Sequence, residues 1–262
     1  MSVRLQPLSP RPSRSSPAAW DGWKLIERDA VGSTNDEAAG LPPWSAVRAD
    51  RQTSGRGRYQ RAWVSDAGGL WLSAVVPIGP LNQGWLALPL AVGAVVCETF
   101  AELGARGLRL RWPNDVMAGD AKLAGILIDQ FQPGRAVIGL GVNVANRPEA
   151  QDPALRGTVV RLSDLIEPVP SLSELAGLLL CGLRKLIKDM ESFGFSAQVP
   201  RVNRWWEAGA VLEVETANET VEAIFAGVDS AGRLLLRPAA GGALELEPHQ
   251  VQRLRELKRG KR

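Results

Sequence analysis

Four short segments of this 262-residue sequence combine residue types that could do chemistry. The first is Gln52-Thr-Ser-Gly55-Arg56-Gly57-Arg58. Glycines let the backbone come close to a ligand and adopt positive φ. The two arginines supply planar donor forks that match phosphate or carboxylate oxygens. Gly-Arg runs also occur in RNA-binding tails. This one lies between a strand-like Ala46–Ala49 and a strand-like run at Trp63, so it is a loop within a fold, which favours a small anionic ligand. The second segment, Val31-Gly-Ser-Thr-Asn-Asp36, reads on local grounds as a helix cap. The third is Arg111-Trp-Pro-Asn-Asp115, followed by Lys122-Leu-Ala-Gly125. Pro113 pushes Trp112 out of the helical region, so Asn114 and Asp115 fall in a turn at a strand end. Lys122 stands at the mouth of the next apolar strand, with its ammonium near the point where that strand enters the core. The fourth, Gly139-Leu-Gly141-Val-Asn143, ends a strand and is followed by Pro148 rather than a helix, which argues against a dinucleotide fingerprint.

What the sequence lacks narrows the chemistry further. A single histidine, His249, and two cysteines leave almost nothing from which to build a zinc site or a Ser-His-Asp triad. Cys97 and Cys181 both lie in apolar helical patterns and read as small core hydrophobes. The net charge of +3 suggests a nucleic-acid partner until its distribution is examined. Arg253–Arg262 carries +5 and Met1–Ala19 carries +3, so the body between them is net −5. A duplex-binding body needs its cations gathered on one folded surface. No apolar stretch reaches the roughly 18 residues needed to span a bilayer. The longest, 85–97, is broken by Pro89 and Gly93 and reads as the start of a buried helix. These features imply a soluble chain without a membrane partner and without a specific nucleic-acid partner.

The elements that must position these segments can be read from periodicity. Met1–Ala19 holds five serines, four prolines and three arginines and reads as a disordered tail. Ser33 and Asp36 are spaced like a capping box before a helix start at Asp36–Gly40. Trp63 and Leu70–Val76 read as strands, Leu90–Leu103 as a helix closed by Gly104, and Leu108–Trp112 as a strand. Ala124–Ile128 and Ala136–Val142 form two more, paired across Gln132-Pro-Gly134. Ser171 with Glu174 caps a long helix with an apolar stripe of Leu172, Leu175, Leu179, Leu183, Leu186 and Met190. From about Gly209 the texture changes to five short strand-like runs, Val211–Glu215, Thr220–Ala226, Leu234–Arg237, Leu244–Glu247 and Val251–Leu254, which make a small β-barrel or roll. The expected layout is a disordered tail at 1–19, an α+β unit at 20–206 and a small β unit with a basic tail at 207–262.

Taken together, the order and spacing of Ser33-Thr-Asn-Asp36, Gln52…Gly55-Arg-Gly-Arg58…Trp63, Trp112-Pro-Asn-Asp115, Lys122-Leu-Ala-Gly-Ile-Leu-Ile128 and Gly139-Leu-Gly-Val-Asn143 closely resemble the biotin protein ligase family. The resemblance is strong over about residues 23–147, and Phe225–Leu234 looks like that family's small SH3-like unit. It implies a catalytic domain like that of class II aminoacyl-tRNA synthetases, with a mixed sheet flanked by helices, plus a C-terminal SH3-like barrel. It also implies that ATP, with Mg²⁺, activates biotin as biotinyl-adenylate, whose acyl group then passes to a lysine of a biotin carboxyl carrier domain. By the same resemblance, Ser33, Thr34, Asn35, Gln52, Gly55, Gly57 and Gly125 bind biotin, while Arg56 and Arg58 meet carboxylate and phosphate. Trp63 packs on the adenylate, Asn114 and Asn143 hold nucleotide, and Lys122 sits where charge develops. Asp115 is the candidate contact to Mg²⁺ carried by ATP, and no tightly bound metal is expected. The family's arginine loop usually carries a further glycine and basic residues after Arg58, where this chain reads Tyr59-Gln60-Arg61. The N-terminus is too short for the helix-turn-helix unit of some relatives, so a ligase without repressor function is expected. A cytoplasmic location is implied, and a homodimer is compatible with the sequence. The rival readings are a lipoate or octanoate ligase, which shares the chemistry, and a non-enzymatic RNA-binding protein, which the acidic body disfavours.

Overall fold

The computed structural model of the chain describes residues 20–79, 87–206, 209–239 and 241–257. The expected tail at 1–19 and the last basic residues at 258–262 lie outside them.

Alternation along the strands determines how the first sheet is used. In Ala136-Val-Ile-Gly-Leu-Gly-Val142, the residues Ala136, Ile138, Leu140 and Val142 point one way into the main core, and Val137, Gly139 and Gly141 point the other way. This run is β7 (Arg135–Val142), inside a seven-stranded mixed sheet. The other strands are β1 (Lys24–Val31), β2 (Ser45–Gln52), β3 (Leu70–Pro77), β4 (Leu108–Arg111), β5 (Asp115–Ala118) and β6 (Ala121–Gln132). Their spatial order is β1-β2-β3-β7-β6-β5-β4, with β1 and β2 parallel and the other pairs antiparallel.

Two helices cover the aliphatic face. Helix α2 (Leu88–Glu102) is apolar nearly all round because it is buried on most sides. Helix α3 (Leu172–Phe193) buries Leu175, Leu179, Leu183, Leu186 and Met190, the expected stripe. Each of these side chains contributes roughly 1.5–3 kcal/mol. Both halves of the Ser171–Glu174 capping box form. The two helices cross closely at Gly182, where an added Cβ would stand 2.6 Å from Val95 Cγ1. The opposite sheet face carries the short helix α1 (Thr34–Ala38), which buries Ala38 against Val47, Val75 and Val137, and farther along it the Trp63 ring packs over Gly125 and Gly141.

Several local expectations give way to longer-range contacts. Ser33 occupies the N-cap position of α1 with extended φ and ψ, yet its side chain makes no capping bond, and the Asp36 carboxylate turns to Arg56 instead. Trp63 lies outside any strand; Ala62 next to it forms an isolated bridge to Arg56. Lys122 is inside β6 rather than before it. Cys97 is buried as expected, but Cys181 is exposed, because position 181 falls between the inward-facing Leu179 and Leu183.

The second sheet forms where the short runs predict it: β8 (Val211–Thr216), β9 (Thr220–Val228), β10 (Leu234–Pro238), β11 (Leu244–Leu246) and β12 (Val251–Leu257), antiparallel in the order β11-β10-β9-β8-β12. Polar contacts join it to the first sheet. Trp112 Nε1 donates to Gly232 O at 3.2 Å, Asn203 exchanges hydrogen bonds with the Val228 backbone, and Arg109 pairs with Glu256. Gly232 is required at that joint for two reasons. Its φ is +83°, and an added Cβ would stand 2.3 Å from Ala87 Cβ. Gly232→Ala is therefore expected to cost at least about 2 kcal/mol of stability, read as a lowered urea midpoint. An unchanged midpoint would mean that the sheets are not held together at this turn.

Candidate active site

Beside α1, the floor of this face of the first sheet mixes side chains with glycines. Ser73, Gly139 and Leu127 stand abreast on β3, β7 and β6, and Trp71, Gly141 and Gly125 form the next row. Each glycine makes room for a particular neighbour. A Cβ on Gly139 would stand 2.4 Å from Asn35 Oδ1, one on Gly125 would be 2.9 Å from the Trp63 ring, and one on Gly141 would be 2.8 Å from it.

Around this floor lies a cleft of about 880 Å³. It brings together Ser33, Thr34, Asn35, Gln52, Arg56, Gly57, Arg58, Trp63, Asn114, Asp115, Lys122, Gly125 and Asn143. Gly55 is the one expected site residue outside the lining. It packs the two legs of the arginine loop together, since its Cβ would meet Ser65 Oγ at 2.4 Å and Trp63 O at 2.7 Å. The β12 segment Val251–Leu254 forms part of another wall.

One fixed charge orders the polar end of the cleft. Asp129 Oδ2, on β6, accepts from Asn35 Nδ2 at 2.9 Å and from Arg56 Nη2 at 3.1 Å. A carboxylate has no proton to give, so the Asn35 amide nitrogen must face it, and Asn35 Oδ1 turns toward Ser73. Ser73 Oγ, 2.6 Å away, has a single proton and donates it there. The 2.7 Å contact between Ser73 Oγ and Thr34 Oγ1 then leaves Thr34 as the donor, with Gln52 Oε1 at 3.0 Å as its alternative acceptor. Gln52 Oε1 also accepts from Thr34 N at 2.8 Å, and Gln52 Nε2 donates to Ser65 Oγ at 2.9 Å. Ser33, Thr34, Asn35 and Ser73 are all buried, which makes this a dry and nearly saturated network.

The other end of the cleft is cationic. Lys122 Nζ lies 2.6 Å from Asp115 Oδ1 and 4.7 Å from the centre of the Trp63 ring. Asp115 Oδ2 accepts from Arg111 at 2.8 Å. Both oxygens of Asp115 therefore serve cations in this structure, and the carboxylate orients Lys122. Among the described residues no group of three or more His, Cys, Asp or Glu is clustered to hold a metal. Asn143 is buried and its amide is occupied, donating to Lys122 O at 3.2 Å and accepting from Asn146 at 3.0 Å. Asn114 Nδ2 donates to Ile126 O at 2.8 Å, continuing the strand pairing one residue beyond β5. Trp63 Nε1 is buried without an acceptor among the described residues.

Arg56 differs from expectation in its surroundings. Its guanidinium makes two bonds to Asp36, at 2.8 and 2.7 Å, and a third to Asp129. Two carboxylates thus face one cation, so Arg56 anchors the base of the loop to α1 and β6. The hydrogen bonds from Arg56 hold the Asp36 carboxyl below its ordinary value of 3.8 and outweigh the opposing effect of partial burial. Sequence reasoning missed Ser73 and Asp129 as site residues. Ser73 did leave a signal, as the only polar residue in Leu70–Val76.

Comparison with known proteins identifies the family. The profile of the Biotin/lipoate A/B protein ligase family matches residues 33–143. The chain is 33% identical over 235 residues to the biotin–[acetyl-CoA-carboxylase] ligase of Mycobacterium tuberculosis, covering 83% of this chain and 85% of that one. This chain belongs to the biotin protein ligase family. Within that family it is also 31% identical over 237 residues to the bifunctional ligase/repressor BirA of Bacillus subtilis, covering 84% of this chain and 71% of the relative. The fold matches the biotin protein ligase of Aquifex aeolicus, solved with biotin and ATP, at a TM-score of 0.75 and 24% identity over 89% of this chain and 99% of that one.

The Asp36–Arg56 pair makes a pH-dependent contribution to the stability of this family member. Because the folded value of Asp36 is lowered, that contribution is complete above the ordinary carboxylate range and disappears as pH falls through the folded value. With Asp36 more than half exposed, it amounts to about 0.2–1 kcal/mol. Urea unfolding of native protein and Asp36→Asn, compared from about pH 7 down to pH 2, is expected to give curves that differ at neutral pH and converge in acid. Parallel curves would remove the pair from the acid response.

Proposed function

We propose that this chain is a biotin protein ligase with the following division of labour. The carboxylate of biotin attacks the α-phosphorus of ATP, the bond to the β-phosphate oxygen breaks, and pyrophosphate leaves. A lysine amine of a carrier domain then attacks the acyl carbon of biotinyl-adenylate, AMP departs with the bonding electrons, and the amine loses its proton. The observation that carries this reading is the pairing, in one cleft, of a buried neutral hydrogen-bonding network with a carboxylate-held lysine beside a glycine floor. A ureido ring offers one strong acceptor flanked by two donors, which suits the donors and acceptors that Ser33, Thr34, Asn35 and Gln52 bring to the lining, with Ser73 orienting them from behind. Gly125, Gly139 and Gly141 seat Trp63 and Asn35 close to the strands, and the aliphatic chain would run past these two side chains.

At the other end, adenylation brings two anions together and adds negative charge at phosphorus, so preorganised cations and donors do most of the work. Lys122, held by Asp115, is the cation assigned to the bond being formed, and Arg58 is assigned to phosphate. Asn114 and Asn143 act through backbone, setting β6 and Lys122 rather than meeting nucleotide with free amides. Trp63, which lines the cleft, offers its ring to the adenylate. Mg²⁺ would arrive on the ATP phosphates, the usual mode for an ion that keeps several waters.

Further parts of the reading follow from the family likeness and from the architecture. The catalytic unit at 20–206 is assigned to the class II aminoacyl-tRNA synthetase-like type, and the five-stranded unit at 207–262 to an SH3-like barrel. The acceptor is a biotin carboxyl carrier domain and the setting is the cytoplasm. A lipoate or octanoate ligase would need an apolar end where this cleft has its buried polar network.

ATP–pyrophosphate exchange is expected with biotin and Mg²⁺ and to be absent with octanoate; the reverse pattern would overturn the reading. Lys122→Ala is expected to slow single-turnover adenylate formation about 10²–10³-fold with a smaller effect on ATP affinity, and Lys122→Arg to restore only part of the rate because a guanidinium cannot take the place of a compact ammonium. Unchanged rates would mean that Lys122 is a structural partner of Asp115 alone.

A further inference from the structure

The tip of the arginine loop is a tight turn in which Gly57 N donates to Arg61 O at 2.8 Å. Two consecutive residues inside it, Tyr59 at φ +56° and Gln60 at φ +57°, are left-handed, and neither is glycine. Each carries a cost that glycine would avoid, so some other contact must hold the turn in this form. The contacts made by Tyr59 supply it. Its ring lies near two guanidiniums, with its centre 4.9 Å from that of Arg58 and 6.0 Å from that of Arg61. Its hydroxyl accepts from Arg58 Nη2 at 2.9 Å and reaches Pro248 O at 3.5 Å. Arg58 Nη2 also donates to Pro248 O, at 3.3 Å.

Pro248 lies in the turn between β11 and β12, which is closed by Gln250 N donating to Glu247 O at 3.0 Å and by Glu247 N donating to Gln250 Oε1 at 2.7 Å. The loop tip is therefore fastened to the second sheet across the mouth of the cleft. Only one nitrogen of the Arg58 fork takes part in these bonds, and Nε and Nη1 remain available on a side chain that lines the cleft.

We propose that Tyr59 is a positioning residue: its left-handed backbone and its phenol latch the arginine loop onto the Glu247–Gln250 turn in the ligand-free protein and leave the rest of the Arg58 fork facing an anion in the cleft. The assignment of that anion as the phosphate of an adenylate rests on the function proposed above. The latch itself does not.

Limited trypsin digestion of the ligand-free full chain tests the latch, because cleavage after Arg56, Arg58 or Arg61 tracks the opened population. Tyr59→Ala and Tyr59→Gly are both expected to be cut within the loop about tenfold faster than native protein, with the urea midpoint changed little because the ring is largely exposed. If relief of backbone strain dominated, Tyr59→Gly would be cut more slowly than native, and that result, or equal rates for native and Tyr59→Ala, overturns the latch. The role of Arg58 is read separately: biotinyl-adenylate should escape from Tyr59→Ala about fivefold to tenfold faster than from native protein. Faster loop cleavage with no adenylate formed by the native enzyme would keep the latch and defeat the functional reading, while faster cleavage with unchanged escape would overturn the positioning of Arg58.

Discussion

The carboxylate of Asp129 is the constraint on which the cleft depends. It fixes the orientation of the Asn35 amide, which directs the Ser73 proton, which leaves Thr34 as a donor toward Ser73 or Gln52. The same oxygen holds Arg56 and so ties the base of the arginine loop to the sheet. One charge at the edge of a buried region thus sets the polarity of Asn35, Ser73 and Thr34 and holds Arg56. In a dry site this matters more than the strength of any single bond, since a reversed amide would leave two buried groups without partners.

Charge is distributed unevenly along the cleft for a physical reason. At the Asp129 end one arginine faces two carboxylates, so the local charge is net negative, which turns a carboxylate away and admits a neutral, hydrogen-bonding ring. At the opposite end Asp115 is outnumbered by Arg111 and Lys122, so a net positive field remains where phosphate oxygens would lie. Between them the glycines of β6 and β7 seat the Trp63 ring and the Asn35 amide against the sheet. The second sheet completes the enclosure through β12 and through the Pro248 carbonyl at the loop tip. A cleft with a net acidic end and a net cationic end orients an acid with its carboxylate toward the cationic end.

Much of this was legible in the sequence because it follows from local rules. The five strands of the second sheet alternate cleanly between polar turns, α3 carries a complete capping box and a 3.6-residue stripe, and β7 reveals both its faces through its odd and even residues. The motif residues converge on one cleft because they lie at strand and helix ends that the topology brings together. The failures are contacts between residues distant in sequence. Ser33 and Asp36 have capping-box spacing, but the Arg56 guanidinium competes for the carboxylate and wins with two short bonds. Ser73 and Asp129 find their partners only after β3, β6 and α1 have packed. Trp63 looks like a strand residue until the glycines of β6 and β7 give its ring a place to lie. Cys181 was readable and misjudged, since the phase of the α3 stripe already places it outward. The left-handed pair at Tyr59 and Gln60 has no local signature, because neither residue favours that conformation.

The most direct test of this account is the affinity for biotin of Asp129→Asn beside the native protein, measured by isothermal titration calorimetry without ATP. The substitution keeps the shape of the side chain and removes the charge that orients Asn35 and holds Arg56. If the network selects a neutral ureido ring as described, the dissociation constant should rise about tenfold to a hundredfold, the equivalent of roughly 1.4–2.8 kcal/mol, while the urea midpoint falls only modestly. Native affinity in Asp129→Asn would contradict the central claim and move biotin recognition to another part of the cleft.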